Sequence, residues 1–221
     1  MKQIFLALDT SQGTSVALLI DGKVVAEAAD SNPMRHAENI GTLIASCFDQ
    51  AEIKPAEVTN VAVGLGPGPF TGLRVGIAAA KMFAAGSKAS LHGVGSLDAI
   101  AFGLELLEPT LVLADARRSE VYYGLFQGKS ANGIPKPLLV PGVSKQADLE
   151  SRLQAQAQKY QLVSKPVAAS SVGLLAIAQL SEGVAGVPVQ ANYLREPDAT
   201  FANPKKAVSY THLTLPTTPY V

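Results

Sequence analysis

The chain has 221 residues, of which 48% are hydrophobic, and its 18 basic side chains are balanced by 18 acidic ones. This length predicts one large domain or two small ones with a buried core. The zero net charge excludes a broad nucleic-acid surface that works unaided, but it leaves room for a task shared with a basic partner. The single cysteine, Cys47, cannot form an internal disulfide, and its spacing predicts a buried thiol in a reducing compartment. Because no targeting segment and no run of about twenty apolar residues occurs, we expect a cytoplasmic protein without a membrane partner.

Three strands joined by tight turns are predicted at the start of the chain, over residues 4–8, 15–20 and 24–28. Asp21 and Gly22, before the third strand, are a strong hairpin signal. An acidic residue and two hydroxyls, Asp9, Thr10 and Ser11, close the first strand. Such a group can hold a metal-bound phosphate or a substrate, and it can equally cap a turn by binding its own backbone. From the residues alone we favour the turn.

An amphipathic helix is predicted over His36–Ala51. Its apolar residues recur at helical spacing and are expected to face the core: Ile40, Leu43, Ile44, Cys47, Phe48 and Ala51. The opposite face carries small residues in place of the Lys and Glu of a solvated face: Ala37, Gly41, Thr42, Ala45 and Ser46. We therefore predict that this face contacts another surface. For His36 we favour a surface residue of the first turn over a ligand or base, because no second His or Cys lies at ligand spacing.

Residues 58–86 predict a buried strand, a Gly/Pro loop and an apolar helix. Glycines ahead of a helix suggest a phosphate site. A P-loop, however, requires Lys and then Ser or Thr after its last glycine, where Leu73 and Arg74 stand here. Pro67 and Pro69 also lack N–H donors. We favour a rigid connection over a nucleotide cradle.

The helix after this loop, over residues 73–85 with Thr71 as its expected N-cap, is apolar nearly all round. Gly72, Gly76 and Ala80 recur every fourth residue, a spacing that lets another backbone approach closely. A partner surface on this helix is therefore a working hypothesis.

A strand is predicted over residues 89–94, with His92 in a structural role, and Ser96 is expected to cap the helix that follows. Two further helices are predicted over residues 146–160 and 171–180. These elements complete an alternating α/β pattern.

A second unit is predicted to begin near residues 105–110, where the chain turns polar. The strand at 111–114 ends in Asp115 as the first strand ends in Asp9, and another strand follows at 121–126. Two related subdomains are therefore expected. The adjacent pair Arg117 and Arg118 could bind phosphate or an acidic partner, or form a solvated turn with local ion pairs. Both interpretations stay open.

Six segments of the chain carry a specific signature: ALDTS at 7–11, the helix start at 36–38, GLGPGPFTGLRVGIAAAK at 64–81, GVGSLDAIA at 93–101, DARRSEVYYGLF at 115–126 and YLR at 193–195. Together they resemble the TsaB (YeaZ) family, bacterial proteins needed to make threonylcarbamoyladenosine beside the tRNA anticodon. The similarity runs in order over about residues 2–200, with Pro69 where most members carry Ser. It implies an actin/Hsp70-like (ASKHA) α/β fold of two RNase-H-like subdomains, with mixed sheets flanked by helices, here residues 1–106 and 107–208.

The resemblance also implies a role as the non-catalytic companion of TsaD, the paralogue that transfers the threonylcarbamoyl group. TsaD carries a metal-binding His-x-x-x-His, and the matching positions here are Ser96 and Ile100; an isoleucine cannot ligate a metal. The resemblance implies that this chain has no catalytic residue, no metal site and no cofactor of its own. ATP or ADP and Mg²⁺ would be bound by the complex. The implied partners are TsaD in a heterodimer, TsaE, a second copy when TsaD is absent, and tRNA only through the complex.

In the family, the two unusual helices pack against the equivalent pair of TsaD. The implied interface residues are His36, Gly41, Ala45, Gly72, Arg74, Gly76, Ala79 and Met82. An excess of small and apolar residues fits a helix bundle between subunits.

Three rival interpretations remain. An active ATPase or sugar-kinase-like member of the same fold would use Asp9, Thr10 and Asp115, the weak nucleotide-site candidates. A glycopeptidase of the M22 type would need a bound zinc, which three scattered histidines disfavour. A homodimeric scaffold unrelated to tRNA is the third.

The last segment, residues 209–221, has no core pattern and matches nothing in the family. One codon choice for it resembles a transposase-based sequencing adapter. We therefore expect a non-native tail and a natural C-terminus that is missing beyond about residue 207.

Overall fold

The computed structural model describes residues 2–32, 35–155, 159–184 and 188–195. The first sheet holds five strands: β1 (Ile4–Asp9), β2 (Thr14–Ile20), β3 (Lys23–Asp30), β4 (Asn60–Gly64) and β5 (Ser90–Val94). Their order is β3-β2-β1-β4-β5; β1 to β3 pair antiparallel, and β4 and β5 join parallel to β1. The predicted hairpin before β3 is confirmed, because Asp21 and Gly22 both take the positive φ angles, 48° and 77°, that a tight turn of this kind requires.

The second sheet holds four strands: β6 (Thr110–Asp115), β7 (Glu120–Lys129), β8 (Pro135–Lys145) and β9 (Gln161–Ser164). Their order is β8-β7-β6-β9, again an antiparallel run of three followed by a strand parallel to the first. The path repeats that of the first four strands of the first sheet. The predicted relationship between the two halves of the chain is therefore confirmed at the level of topology.

Five α-helices lie within the described residues: α1 (His36–Ala51), α2 (Phe70–Ser87), α3 (Ser96–Phe102), α4 (Gln146–Ala155) and α5 (Ala169–Ser181). Helices α1 and α2 cover one face of the first sheet, where Cys47, Phe48 and Ile77 pack on the strands. The thiol of Cys47 is buried as predicted, and burial raises its pKa to about 11.

The other face of the first sheet forms a core that both sheets share. Phe5 and Leu19 of the first sheet meet Leu97 and Ile100 of α3, Leu175 of α5, and strands β6 and β7. Helix α5, although late in the chain, packs against β1 and β2. The chain leaves the first sheet after β5 and enters the second at β6. One hydrophobic core nevertheless contains residues of both sheets.

Local details differ from expectation at the helix starts. Thr71 does not cap α2, which begins one residue earlier with Pro69 at the N-cap position. Ser96 does not cap α3 either, because Gly95 holds the cap and the Ser96 side chain is used elsewhere. Strands β8 and β9 were not predicted, since Pro and Gly obscure the strand pattern of β8 and β9 has only four residues. The described part of α4 ends at Ala155, and residues 156–158 of the predicted helix lie outside the described residues.

None of the described helices combines the length and the apolar character that crossing a bilayer requires.

Candidate functional site

A buried carboxylate lies where β1 ends. Asp9 is only 1% exposed. Its Oδ1 accepts hydrogen bonds from the backbone N–H of Ser11, at 2.8 Å, and from the Ser11 hydroxyl, at 2.6 Å. Its Oδ2 accepts a hydrogen bond from the Ser96 hydroxyl at 2.6 Å. The turn that the sequence favoured at this position is confirmed.

The Gly/Pro loop that follows β4 packs directly on this corner. A Cβ atom at Gly64 would lie 1.8 Å from Oδ2 of Asp9, and one at Gly68 would lie 2.9 Å from Cβ of Ser11. Only glycine can bring a backbone this close to buried side chains. Two glycines of the signature therefore make room for the chain's own Asp-Thr-Ser segment.

The small residues of α2 serve the same packing. A Cβ at Gly76 would lie 2.2 Å from Oγ1 of Thr10, and that hydroxyl donates to the carbonyl of Gly72 at 2.8 Å. Ala80, four residues on, is fully buried as well. The small residues of α2 thus pack against the end of β1 and Thr10 of the same chain. Gly72 and Gly76, which the resemblance placed in a partner interface, are buried inside the chain.

His36 is buried, not exposed as predicted for a first-turn residue. Its side chain lies against Gly72, and its Nδ1 lies 2.9 Å from the Thr14 hydroxyl. Burial lowers the pKa of His36, although the charges of Asp9 and Asp30 act in the opposite direction. The sequence missed this role because Thr14 and Gly72 meet His36 only after folding.

Burial also affects the carboxyl of Asp9. Its removal from water raises the pKa, against the hydrogen bonds from Ser11 and Ser96 and the nearby charge of His36. Ser96, which the sequence had assigned to a helix cap, links this carboxylate to the loop, because its Oγ also accepts the N–H of Gly66 at 3.0 Å. Asp9 and Ser96 thus join the end of β1 to the glycine loop through hydrogen bonds.

Three positions of the loop at this corner offer no free N–H to the phosphate group of a nucleotide, the ligand that the wider fold class would suggest. Pro67 and Pro69 have no N–H to donate, and the N–H of Gly66 is bonded to Ser96. The space ahead of the glycines is filled by Asp9 and Ser11. Thr10, the other nucleotide-site candidate of the first half, is buried and bonded to Gly72.

The two positions that the resemblance matched to metal-binding histidines, Ser96 and Ile100, have other roles here. Ile100 is 2% exposed in the shared core, and Ser96 is bonded to Asp9. Within the described residues, no group of three or more His, Cys, Asp or Glu side chains could hold a metal ion. His92, as predicted, takes a structural role, with Nε2 lying 2.9 Å from Oδ1 of Asn60.

Asp115 lies at the matching corner of the second sheet, at the end of β6, and is exposed. Its Oδ1 accepts the backbone N–H of Arg117 at 2.8 Å, which closes a turn. Arg117, Arg118 and Ser119 all take positive φ angles, from 54° to 62°. The two arginines are exposed, which agrees with the solvated-turn interpretation and leaves the anion-binding one untested.

Helices α1 and α2 lie side by side and present an outer face. Phe48 and Phe83 stack between them, with ring centroids 5.7 Å apart. We use the name α1–α2 face for the accessible members of the implied interface: Gly41, Ala45, Arg74, Ala79 and Met82. Ala79 is half-buried, whereas Met82 is 74% exposed. Of the eight residues implied by the resemblance, five therefore line an open surface and three are internal.

An aromatic and arginine cluster, which the sequence analysis missed, lies at the start of α2. The guanidinium carbon of Arg74 lies 3.7 Å from the ring centroid of Phe70, and its Nε donates to the Tyr193 hydroxyl at 3.2 Å. The rings of Phe70 and Tyr193 are 4.6 Å apart. The signal was present in the FTGLR and YLR segments, but their 119-residue separation hides the contact.

Two sheets of one strand order, flanked by helices and joined by a common core, define a two-subdomain protein of the actin/Hsp70-like class. A model of the family "TsaD: tRNA N6-adenosine threonylcarbamoyltransferase" matches residues 23–134. The chain is also similar to a solved Pseudomonas aeruginosa protein, described as uncharacterised with similarity to the peptidase YeaZ. That likeness has a TM-score of 0.73 and 25% identity, and it covers 87% of this chain and 100% of the other.

Curated proteins are also similar to this chain. The uncharacterised protein Rv3421c of Mycobacterium tuberculosis is 33% identical over 205 residues, which are 88% of this chain and 92% of that protein. The tRNA threonylcarbamoyladenosine biosynthesis protein TsaB of Bacillus subtilis is 33% identical over 134 residues, 58% of this chain and 56% of that protein. The Escherichia coli protein of the same name is 33% identical over 147 residues, 61% of this chain and 63% of that protein. The chain belongs to the TsaB/YeaZ family, and it spans little more than half the length of the relatives that carry the TsaB name.

Proposed function

We propose that this chain acts in tRNA threonylcarbamoyladenosine biosynthesis as a non-catalytic companion subunit, which binds and activates TsaD through the α1–α2 face. The relatives named TsaB support the pathway. The observation that carries the companion role is the filled corner at Asp9. The strand end, which the rival nucleotide-binding interpretation would use, and the glycine loop are packed against the chain's own side chains.

The α1–α2 face has the character of a protein contact. Gly41 and Ala45 on α1 are exposed and small, so that a facing helix can approach closely. Met82 on α2 is 74% exposed, and methionine is enriched in the buried parts of interfaces. Exposed large apolar side chains on a folded surface mark a partner site when they occur together.

In this proposal tRNA contacts belong to the complex. The chain carries no net charge, so it lacks the electrostatic excess that binding a polyanion alone requires. ATP, Mg²⁺ and TsaE likewise act on the assembled complex. The companion subunit contributes a surface that stabilises the active arrangement of TsaD.

Reconstitution tests the proposal. This chain, truncated after Ala207, is mixed with TsaD, TsaE, tRNA, ATP and threonylcarbamoyl-adenylate, and modified tRNA is scored with each protein omitted in turn. We expect product to be lost when this chain is omitted, and no turnover by this chain alone. Full activity without it, or nucleotide hydrolysis by the lone chain, contradicts the companion role.

Two substitutions locate the interface. Ala45→Arg and Ala79→Glu place a charged side chain on the α1–α2 face and are expected to weaken binding to TsaD at least about 100-fold, because a buried unpaired charge is strongly unfavourable. Val140→Glu, at an 82% exposed position on β8, is the matched control and should bind normally. Thermal unfolding of each variant checks the fold. Unchanged affinity of the well-folded Ala45→Arg variant contradicts the interface.

A further inference from the structure

We propose that Arg74 is a preformed carboxylate receptor, which docks an Asp or Glu side chain of the partner subunit. The inference rests on the proposed function and adds to it the chemistry of one contact. It identifies which residue orients the two subunits and what kind of group the partner must bring to it.

The guanidinium of Arg74 is held on two sides. Its Cζ lies over the Phe70 ring, 3.7 Å from the ring centroid, a distance typical of a cation–π contact. The Tyr193 hydroxyl accepts the Nε–H at 3.2 Å, and the Tyr193 ring packs on Phe70. An arginine that is already immobilised loses less side-chain entropy when it binds a ligand.

Tyr193 is itself braced by its neighbours in the chain. The N–H of Asn192 donates to the carbonyl of Leu65, in the loop after β4, at 2.8 Å. Arg195 donates to the carbonyl of Ala116 at 2.9 Å and forms an ion pair with Glu120 at 3.3 Å. This segment therefore spans from the first sheet's loop to the second sheet's hairpin, and it fixes the side chain that holds Arg74.

The two Nη groups of Arg74 form no hydrogen bond and no ion pair with the described residues. Its Nε donates to Tyr193, and its Cζ lies over the ring of Phe70. The sequence has no Asp or Glu between Glu57 and Asp98, whereas Arg74, Lys81 and Lys88 fall in that stretch. The charged side chains on α2 itself, Arg74 and Lys81, are therefore both basic.

The position of Arg74 favours a protein carboxylate. Four exposed residues follow one another at helical spacing along α2: Phe70, Arg74, Ala78 and Met82. Arg74 is therefore continuous with the apolar part of the α1–α2 face, so that a partner helix covering Met82 also covers Arg74. A planar guanidinium whose Nη groups bond to none of the described residues matches a carboxylate in a bidentate pair.

Isothermal titration with TsaD, without nucleotide or tRNA, tests the receptor. Arg74→Lys keeps the charge and loses the planar fork, and we expect affinity to fall about 10-fold or more. Tyr193→Phe removes only the hydroxyl that orients Arg74 and should weaken binding less than Arg74→Lys does. Lys81→Gln, which removes a charge from the same helix, is the control and should stay within about threefold of the wild type.

The outcomes separate this inference from the proposed function. If Ala45→Arg blocks binding and Arg74→Lys binds TsaD like the wild type, the companion role stands and the carboxylate receptor is overturned. If Arg74→Lys leaves TsaD binding unchanged but reduces tRNA modification, the partner of Arg74 is a phosphate, which also overturns the proposal. If the wild type itself fails to bind TsaD, the proposed function fails first.

Discussion

The two sheets begin in the same way and end in different surroundings. In each, the first strand ends in an aspartate whose Oδ1 accepts the N–H of the second residue after it, at 2.8 Å in both cases. Asp9 is buried beneath the glycine loop and α2, whereas Asp115 is exposed. The same turn therefore serves as the centre of a packed corner in one half and as a surface loop in the other.

The connection after the fourth strand of each sheet explains the difference. After β4 the chain runs through Gly66 and Gly68, which pack against the Asp9 corner. After β9 the corresponding connection, residues 165–168, contains no glycine and leads to α5, which packs on the first sheet. Whether the aspartate at a strand end is buried therefore depends on the segment that packs over it.

Removing the two aspartates should give very different costs. Asp9→Ala leaves the Ser11 and Ser96 donors buried without an acceptor, so we expect a loss of about 3 kcal/mol in the free energy of unfolding. Asp115→Ala exposes its former donor to water and should cost less than about 1 kcal/mol. Urea denaturation of both variants makes the measurement. Equal losses contradict the contrast between a packed and an open corner.

The packing of α2 on the Asp9 corner predicts the next largest effect. Gly76→Ala places a methyl 2.2 Å from the Thr10 hydroxyl, and we expect a loss of about 2 kcal/mol. Gly86→Ala, in the same helix, meets nothing within 4 Å and should gain up to about 1 kcal/mol, since alanine favours the helix. Thermal unfolding compares the pair. A stable Gly76→Ala variant contradicts the close approach.

In the exposed turn after Asp115, introducing a glycine should increase the stability. Ser119 has a φ of 61°, which is unfavourable for any residue with a Cβ, so Ser119→Gly should raise the free energy of unfolding by up to about 1 kcal/mol. Ser119→Ala keeps the Cβ and is expected to be neutral. Chemical denaturation distinguishes the two. An equal response of both variants means that this hairpin stores no backbone strain.

The smallest expected effect is a pH dependence that belongs to the packed corner. Because burial lowers the pKa of His36, the unfolded chain binds this proton more readily, and stability should fall as the pH drops below about 6.5. His36→Asn removes the titrating group and keeps a polar partner for Thr14. Wild type and variant should therefore diverge between about pH 7 and pH 5 in their melting temperatures.

The control is the partly buried imidazole of His92. His92 also has its pKa lowered by burial, so His92→Gln should remove a separate part of the same dependence. Asp9 acts in the opposite direction, because a raised carboxyl pKa makes stability fall as the pH rises. Parallel pH profiles for the wild type and His36→Asn contradict a buried, neutral His36.

Local patterns predicted the strands, the bounds of α1 and the two-part organisation, because these follow from short-range periodicity. They could not place His36 or Gly76. An apolar or small residue at helical spacing fits a partner surface and an internal contact equally well, and only the path of β1 beneath α2 decides between them. Strand β8 was missed because its Gly and Pro content resembles a loop, and β9 was missed because a four-residue strand is too short to show a pattern.

Two contacts of the candidate site also join residues that are far apart in the sequence. Ser96 and Tyr193 act on Asp9 and Arg74, which lie 87 and 119 residues away in the sequence. No local signal indicates such pairs. The expected tail at residues 209–221 lies outside the described residues and stays a prediction.

The most direct test of the α1–α2 face is thiol labelling in the presence of TsaD. Met82→Cys and Val140→Cys introduce thiols at positions that are 74% and 82% exposed, while the native Cys47 is buried and its pKa is raised to about 11. With saturating TsaD, we expect maleimide to label residue 82 at least about tenfold more slowly and residue 140 at an unchanged rate. Equal labelling of residue 82 with and without bound TsaD would contradict the assignment of this face as the partner interface.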